Sequence, residues 1–310
     1  KNDTVIKIDI DGKSTDFTFS LNSPLSFLFY NKDSYDINSK KAIKQDLSIE
    51  YPPILKKTSG TVVQDKIKLM KNSVSFIEIE EMPLLAVSSD KNENVGMLSW
   101  APKSTENDIS NFLDILKAKK KIHQAIFSIR IIPEIDGSYN GSIFLGDKQN
   151  DFLTKEGKSV TCNNVIDNSW GCKFQNISYG NKSVEFKSSD KIILISDLQA
   201  AIINHNYIKD FLEMFPKEAE CEIFDDESST NSYIKCSKWS INELEINLGI
   251  DGHQLKLKVP DINNVLGLSK LHYNYQPYIT FSKEYEGAFL PLYWFKGYHI
   301  LFSKEDNSII

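Results

Sequence analysis

The 310-residue chain has no long hydrophobic run and no long block of a single charge. No stretch approaches the roughly 18 consecutive apolar residues that a membrane-spanning helix requires, so we expect no membrane span within this chain. The net charge of -6 is spread along the sequence. Nucleic acid is therefore not expected as a partner, because phosphate binding requires clustered Lys and Arg.

The local motifs of common catalytic and cofactor sites are also missing. The sequence has no Gly-x-Ser-x-Gly elbow, no Gly-x4-Gly-Lys phosphate loop, no Gly-x-Gly-x-x-Gly and no His-Glu-x-x-His. The histidines are scattered, at His123, His205, His253, His272 and His299. We therefore expect no cofactor and no metal. A serine triad assembled from distant residues stays open, although no local motif supports it.

Cysteines are few, and they fall as two close pairs, Cys162 with Cys172 and Cys221 with Cys236. Four cysteines allow three connectivities, of which local pairing is the simplest. A zinc site would require tight Cys-x2-Cys spacing or clustered histidines, and neither occurs. The spacing predicts two local disulfides, and closing a loop of about 15 residues contributes roughly 3 kcal/mol in the chain-entropy model.

Acceptors for N-linked glycans occur at four Asn-x-Ser/Thr sites, Asn2, Asn140, Asn176 and Asn181. Together with paired cysteines, they favour the secretory pathway and an extracellular or cell-surface location. In that setting we expect protein partners or self-assembly, with possible glycans at these sites.

Short strands dominate what is present. Alternating apolar segments flank Asp11-Gly12 and again Asp251-Gly252, which predicts two hairpins. Further strands are predicted at 61–63, 66–69, 75–79 and 126–131. Helical periodicity occurs twice, over 108–121 with Asp108 as N-cap and over 207–215. This pattern predicts an all-β protein, either a large sandwich or barrel or a doubled one.

The order of these segments resembles the pepsin-like aspartic proteases over residues 5 to 309. In that family a strand ends in a catalytic Asp-Thr/Ser-Gly, and here Asp16-Phe-Thr-Phe-Ser-Leu21 runs into Asn22-Ser23-Pro24. In the second half, Lys191-Ile-Ile-Leu-Ile195 runs into Ser196-Asp197-Leu198, where the family has its second Asp-Thr-Gly. The family's flap hairpin resembles Leu47-Ser-Ile-Glu-Tyr51, but Pro52 and Pro53 replace its flexible glycines.

The resemblance implies an all-β fold of bilobal, pepsin-like double-ψ β-barrel architecture with a few short helices. It divides the chain into an N-terminal lobe with a flap hairpin, residues 1–150, and a C-terminal lobe with both disulfides, residues 151–310. The long aromatic run from Tyr273 to Tyr298 is expected mostly in the core and between the lobes, with part of it open to an interface.

The chemistry of the family does not fit the residues at these positions. Its two aspartates share one proton, but Asn22 cannot accept that proton and Ser196 is a far weaker base. Pro24 and Leu198 replace glycines that allow close backbone approach. Asp197 lies one residue out of register, where the side chain of a strand points the other way. We therefore expect no catalytic residue and no protease activity.

Three hypotheses of function follow. The leading one is a pseudoprotease acting as a structural or assembly subunit. The second is a binding module that captures a peptide in the former cleft, with Tyr51 as a lid stiffened by Pro52 and Pro53, although Tyr51 is also explained by packing within its own lobe. The third is an active peptidase that uses Asp197.

Overall fold

The computed structural model describes residues 5–31, 35–50, 58–71, 74–89, 95–103, 109–133, 139–146, 159–166, 168–196, 200–226, 229–239, 243–260 and 277–310. In this part of the chain the structure contains 23 strands and two short α-helices. The strands are organised in four sheets.

The first sheet is formed by seven strands of the first 99 residues: β1 Val5–Ile10, β2 Lys13–Ser20, β3 Phe27–Tyr30, β4 Lys41–Ile49, β5 Thr58–Lys71, β6 Val74–Ser88 and β7 Val95–Ser99. Their order is β1-β2-β7-β3-β6-β5-β4, and β1 also pairs with β5. Six strands therefore close into a barrel, with β4 added outside. Buried side chains such as Ile8, Phe17 and Leu98 fill its interior.

A second seven-stranded sheet is formed by β11 Gly171–Cys172, β14 Ile192–Ile195, β15 Ala201–Asn204, β16 Cys221–Asp225, β17 Asn231–Cys236, β20 Ile279–Ser282 and β21 Ala288–Pro291, in the order β11-β14-β21-β15-β20-β17-β16. Its central pairings repeat those of the first sheet. β14 and β21 are parallel, β21 and β15 are antiparallel, and β15 and β20 are parallel. In the first sheet, β2 and β7 are likewise parallel, β7 and β3 antiparallel, and β3 and β6 parallel. β2 thus corresponds to β14.

A smaller sheet of four strands packs in the second half: β12 Asn176–Tyr179, β13 Lys182–Glu185, β18 Glu243–Ile250 and β19 His253–Pro260, in the order β13-β12-β18-β19. β18 and β19 form the hairpin predicted at Asp251-Gly252. Both residues have positive φ, 45° and 77°, as do Asp11 and Gly12 between β1 and β2, at 54° and 76°. Both hairpin predictions are confirmed.

The remaining sheet combines strands from the middle and the end of the chain: β8 Ile126–Pro133, β9 Tyr139–Leu145, β10 Cys162–Asn163, β22 His299–Ser303 and β23 Ser308–Ile309, in the order β10-β23-β22-β8-β9. Beneath it, the rings of Phe127 and Phe302 stack at 4.7 Å, and the indole N–H of Trp170 donates to the carbonyl of Trp100 at 2.7 Å. β22 thus pairs with β8, and β23 pairs with β22 and β10. The lobe boundary at residue 150 stays a prediction.

The first helix begins later than predicted. Helix α1 spans Phe112–Ala118, and its N-cap is Asn111, whose side chain accepts from the N–H of Asp114 at 3.2 Å. Asp108 lies outside the described residues. Ile109 is not on the helix but packs into a separate apolar group, the hairpin cluster, which consists of Leu25, Phe27, Leu47, Ile49, Val62, Leu85 and Ile109. The prediction of a helix over 108–121 was therefore wrong at both ends.

The second helix and the disulfides follow the sequence more closely. Helix α2 spans Ile208–Met214 after a single 3-10 turn, within one residue of the prediction at each end. Cys221 and Cys236 face each other on β16 and β17 and are disulfide-bonded. The other disulfide joins Cys162 on β10 to Cys172 on β11, so it links two different sheets. Both predicted pairings are confirmed.

A buried polar network supports the base of the β4–β5 hairpin. Asp65, only 6% exposed, accepts from the hydroxyl of Tyr35 at 2.6 Å and from the ammonium of Lys40 at 3.0 Å. Lys40 also reaches Asp11 in the β1–β2 turn at 2.5 Å. Burial, and then the hydrogen bond to Asp65, raises the pKa of Tyr35 well above its usual range. Tyr35 is therefore a neutral donor at any physiological pH.

The aromatic run near the C-terminus is partly internal where the structure describes it, and its tyrosines Tyr278, Tyr285, Tyr293 and Tyr298 are half-buried. Phe281, Phe289, Trp294 and Phe295 are buried. Tyr273 and Tyr275 lie outside the described residues. Core packing is thus confirmed for these four aromatic side chains. None of the described helices is long and apolar enough to cross a membrane.

Candidate functional site

The two loops that the sequence places at the family's catalytic positions contact each other around Asn22 and Ser196, and we call this contact the crossing. Asn22 follows β2 and Ser196 follows β14, which are corresponding strands of the two seven-stranded sheets. The hydroxyl of Ser196 donates to the carbonyl of Phe19 at 2.9 Å and accepts from the N–H of Leu21 at 3.0 Å. In return, the side-chain amide of Asn22 donates to the carbonyl of Leu194 at 3.1 Å. Each loop therefore bonds the backbone that leads into the other.

Asn22 is enclosed at this crossing, with only 1% of its surface exposed. Its Nδ2 faces a carbonyl oxygen, and its Oδ1 is buried without a hydrogen-bond partner among the described residues. The Asn22 backbone N–H lies 3.4 Å from the hydroxyl of Ser20. The pocket around the side chain therefore matches an amide on its donor side.

Hydroxyl groups hold the rest of the first loop. Ser20 accepts from the N–H of Ser23 at 3.1 Å, and the hydroxyl of Ser23 donates to the carbonyl of Leu25 at 2.7 Å. The hydroxyl of Ser99, at the end of β7, donates to the carbonyl of Ser23, and its N–H donates to Ser26 at 3.0 Å. Sequence reasoning missed Ser20 and Ser99. Their only signal is a small polar residue at the end of an apolar strand.

Several predicted site residues lie outside the described part of the chain: Tyr51, Pro52 and Pro53 at the flap tip, and Asp197 and Leu198 after Ser196. The two arms of the hairpin are present, since Ile49 on β4 pairs with Thr58 on β5. Leu47 and Ile49 turn into the hairpin cluster. The structure thus places the base of the flap hairpin against an apolar support.

Two contacts between serine and histidine occur among the described residues, and in both the serine is buried, so neither hydroxyl is open to a substrate. The buried hydroxyl of Ser232 lies 3.2 Å from Nδ1 of His205 but donates to Asp225 at 2.6 Å. The hydroxyl of Ser232 thus contacts both the carboxylate of Asp225 and the imidazole of His205. Ser128 contacts Nε2 of His299 at 2.7 Å but is only 3% exposed, and burial lowers the pKa of His299. Among the described residues, no group of three or more His, Cys, Asp or Glu side chains is arranged to hold a metal.

Together, the closed barrel, the second seven-stranded sheet with matching central pairings and the crossing between their loops define an all-β protein built from two related sheets. A family model for the eukaryotic aspartyl proteases matches residues 8–309, so the chain belongs to the eukaryotic aspartyl protease family. The expected pepsin-like resemblance and all-β fold are confirmed.

A solved structure shows a similar fold. One similar structure is the crystal structure of the aspartic proteinase from Irpex lacteus, with a TM-score of 0.68 over 99% of this chain and 93% of that chain. The two sequences are 14% identical, so this likeness shows the fold alone. No curated protein sequence matches the chain.

Proposed function

We propose that this chain is a catalytically inactive aspartyl protease homologue that acts as a structural or assembly subunit. The observation that carries the proposal is the use of Asn22 and Ser196 in bonds between the loops. Proteases of this class require two carboxylates that share a proton. An amide and a hydroxyl that are already engaged with backbone groups cannot supply that pair.

The proposed location is the secretory pathway, ending outside the cell or at its surface. Both disulfides are of the kind that forms and persists in an oxidising compartment. Glycosylation of the chain belongs to the same proposal, since the Asn-x-Ser/Thr sites would meet the required enzymes there.

Open sheet edges support the assembly role. β4 and β16 are the outer strands of the two seven-stranded sheets, and each carries an exposed apolar side chain, Ile43 at 44% and Phe224 at 43%. The unpaired backbone of an edge strand is a template on which another chain can add a strand. Lys235 lies 3.3 Å above the ring of Phe224, which leaves a cationic and aromatic surface next to β16.

Two other functions are kept as candidates. A peptide-binding module is favoured by the hairpin cluster, because the partly buried Phe29, Val87 and Met97 extend it toward solvent. An active peptidase would require Asp197 to act as the catalytic carboxylate, since it adjoins the crossing in sequence.

The assembly role is tested by size-exclusion chromatography with light scattering on the full chain over a range of concentrations. We expect a species heavier than the monomer that dissociates on dilution. Replacing Phe224 with lysine should weaken it, whereas replacing Ile43 with lysine reports separately on the β4 edge. A monomer at all concentrations that instead retains a peptide from a random library would favour the binding module.

A further inference from the structure

The four glycan acceptor sites are not equivalent in the folded chain. Asn2 and the side chain of Asn140 lie outside what the structure describes. Asn176 and Asn181 both belong to the β12–β13 hairpin, only five positions apart. We propose that Asn181 carries an N-linked glycan in the folded protein and that Asn176 carries none, an inference that rests on the secretory location proposed above.

Asn181 lies at the tip of the hairpin. Tyr179 pairs with Lys182, so Gly180 and Asn181 form a two-residue turn, in which Gly180 has a positive φ of 61°. Asn181 is exposed, and so is Ser183, the hydroxyl residue of its acceptor site. A sugar attached here extends from a turn without displacing any strand.

The neighbouring lysine side chain is directed away from this tip. The ammonium of Lys182 donates to the carbonyl of Glu213 at 2.5 Å and lies 3.4 Å from that of Phe215. It therefore caps the C-terminal end of helix α2, where cations are favourable. This contact holds the hairpin against the helix and leaves the turn at the surface.

Asn176 is half-buried on β12, an inner strand of its sheet. Its strand has partners on both sides, and Asn176 faces Glu185 on β13 and Gly249 on β18. Its Nδ2, the atom that a glycan would modify, lies 3.4 Å from a carboxylate oxygen of Glu185. Its Oδ1 is buried, and a methyl group added at Gly249 would come within 2.5 Å of it. The amide thus fills the space that the glycine leaves, and a sugar on Nδ2 would force it out.

The modification forms a bond between Nδ2 and the anomeric carbon of the first sugar. The donor is a lipid-pyrophosphate-linked oligosaccharide of the secretory pathway; its lipid pyrophosphate leaves, and the amide nitrogen loses one proton. A glycan placed on Asn176 during synthesis would have to be accommodated against Glu185 and Gly249 of the two neighbouring strands when the sheet forms. Secreted, folded molecules should therefore be modified at Asn181 alone of these two sites.

The test is to secrete the full chain from a eukaryotic host behind an added leader, and to map glycosylated peptides after enzymatic release of the sugars in heavy-oxygen water. We expect heavy label at Asn181 and none at Asn176. The variants Asn181→Gln and Ser183→Ala should each lose one glycan in mass. Asn176→Gln should lose none, and Ser178→Ala repeats that result with the asparagine retained.

An unlabelled Asn181, or a labelled Asn176 in folded secreted protein, would overturn the inference. Because the added leader supplies entry into the secretory pathway, such a result would concern the glycan assignment and not the proposed location. Cleavage of peptides by the same preparation would instead refute the proposed function and leave the glycan assignment intact.

Discussion

Replacing Asn22 with aspartate is expected to lower the free energy of unfolding at neutral pH by roughly 3–5 kcal/mol, the usual cost of a buried charge without a partner. Asn22 is 1% exposed, and its Nδ2 donates to the carbonyl of Leu194. The substitution puts a carboxylate oxygen against that carbonyl oxygen, so two acceptors face each other. Restoring the family's residue at this position should therefore destabilise the protein and not create a protease.

The penalty should depend on pH. A protonated carboxyl can donate to the carbonyl of Leu194, so its pKa in the folded state is raised above the ordinary value of about 3.9. Between that value and the raised one, the folded state binds more protons than the unfolded state, and stability falls as pH rises. Urea unfolding at pH 4 and pH 7 measures this change directly.

The matched control for this variant is Asn22→Ala, which removes the same hydrogen bond without adding a charge. Its loss should be about 1–3 kcal/mol, the cost of a buried group without a partner, and should show no additional pH dependence relative to the unmodified chain. If Asn22→Asp proves as stable as the unmodified chain at pH 7, the amide does not hold the crossing as described.

Replacing Asp65 with alanine is expected to cost about 3–5 kcal/mol, because it removes one partner from a buried ion pair. Asp65 and Lys40 have side chains only 5% and 12% exposed. The substitution leaves Lys40 with Asp11 alone and leaves the hydroxyl of Tyr35 without its acceptor. Denaturant unfolding monitored by tryptophan fluorescence would measure the loss.

An exposed pair in the same barrel provides the control. Asp16 forms an ion pair with Lys7, and their side chains are 45% and 57% exposed. Exposed pairs contribute about 0.2–1 kcal/mol, so Asp16→Ala should have a small effect. A loss below about 1 kcal/mol for Asp65→Ala as well would show that the network around Asp65 is solvated and not part of the core.

Features determined by local chemistry could be predicted from the sequence. The Asp-Gly hairpins require positive φ at both turn residues, which this dipeptide tolerates, and both turns form. The strand predictions at 61–63 and 66–69 are confirmed, and both segments belong to the one strand β5. β5 is continuous from Thr58 to Lys71, with a register shift between Asp65 and Ile67. The length of β5 is set by its pairing with β6. The alternation of apolar and polar residues within one segment does not reveal that pairing.

At the site, the positions could be predicted from the sequence, but the contacts between them could not. The order of motifs indicated Asn22 and Ser196 as the equivalent positions, and the structure brings them into one crossing. Their actual partners could not be predicted, because the bonds join Asn22 to Leu194 and Ser196 to Phe19 across 172 and 177 residues. The predicted start of α1 was wrong for a related reason. Ile109 fits the helical period, but its side chain packs in the hairpin cluster instead.

The central claim is that the chain belongs to a protease family but has no peptidase activity. The most direct test incubates the full chain with a mixed peptide library from pH 3 to pH 8, with mass spectrometry of the products, beside the variant Asp197→Asn. We expect no cleavage above the buffer blank for either protein. Cleavage by the unmodified chain that Asp197→Asn abolishes would contradict the central claim, and would show that a displaced aspartate has taken over the catalytic role.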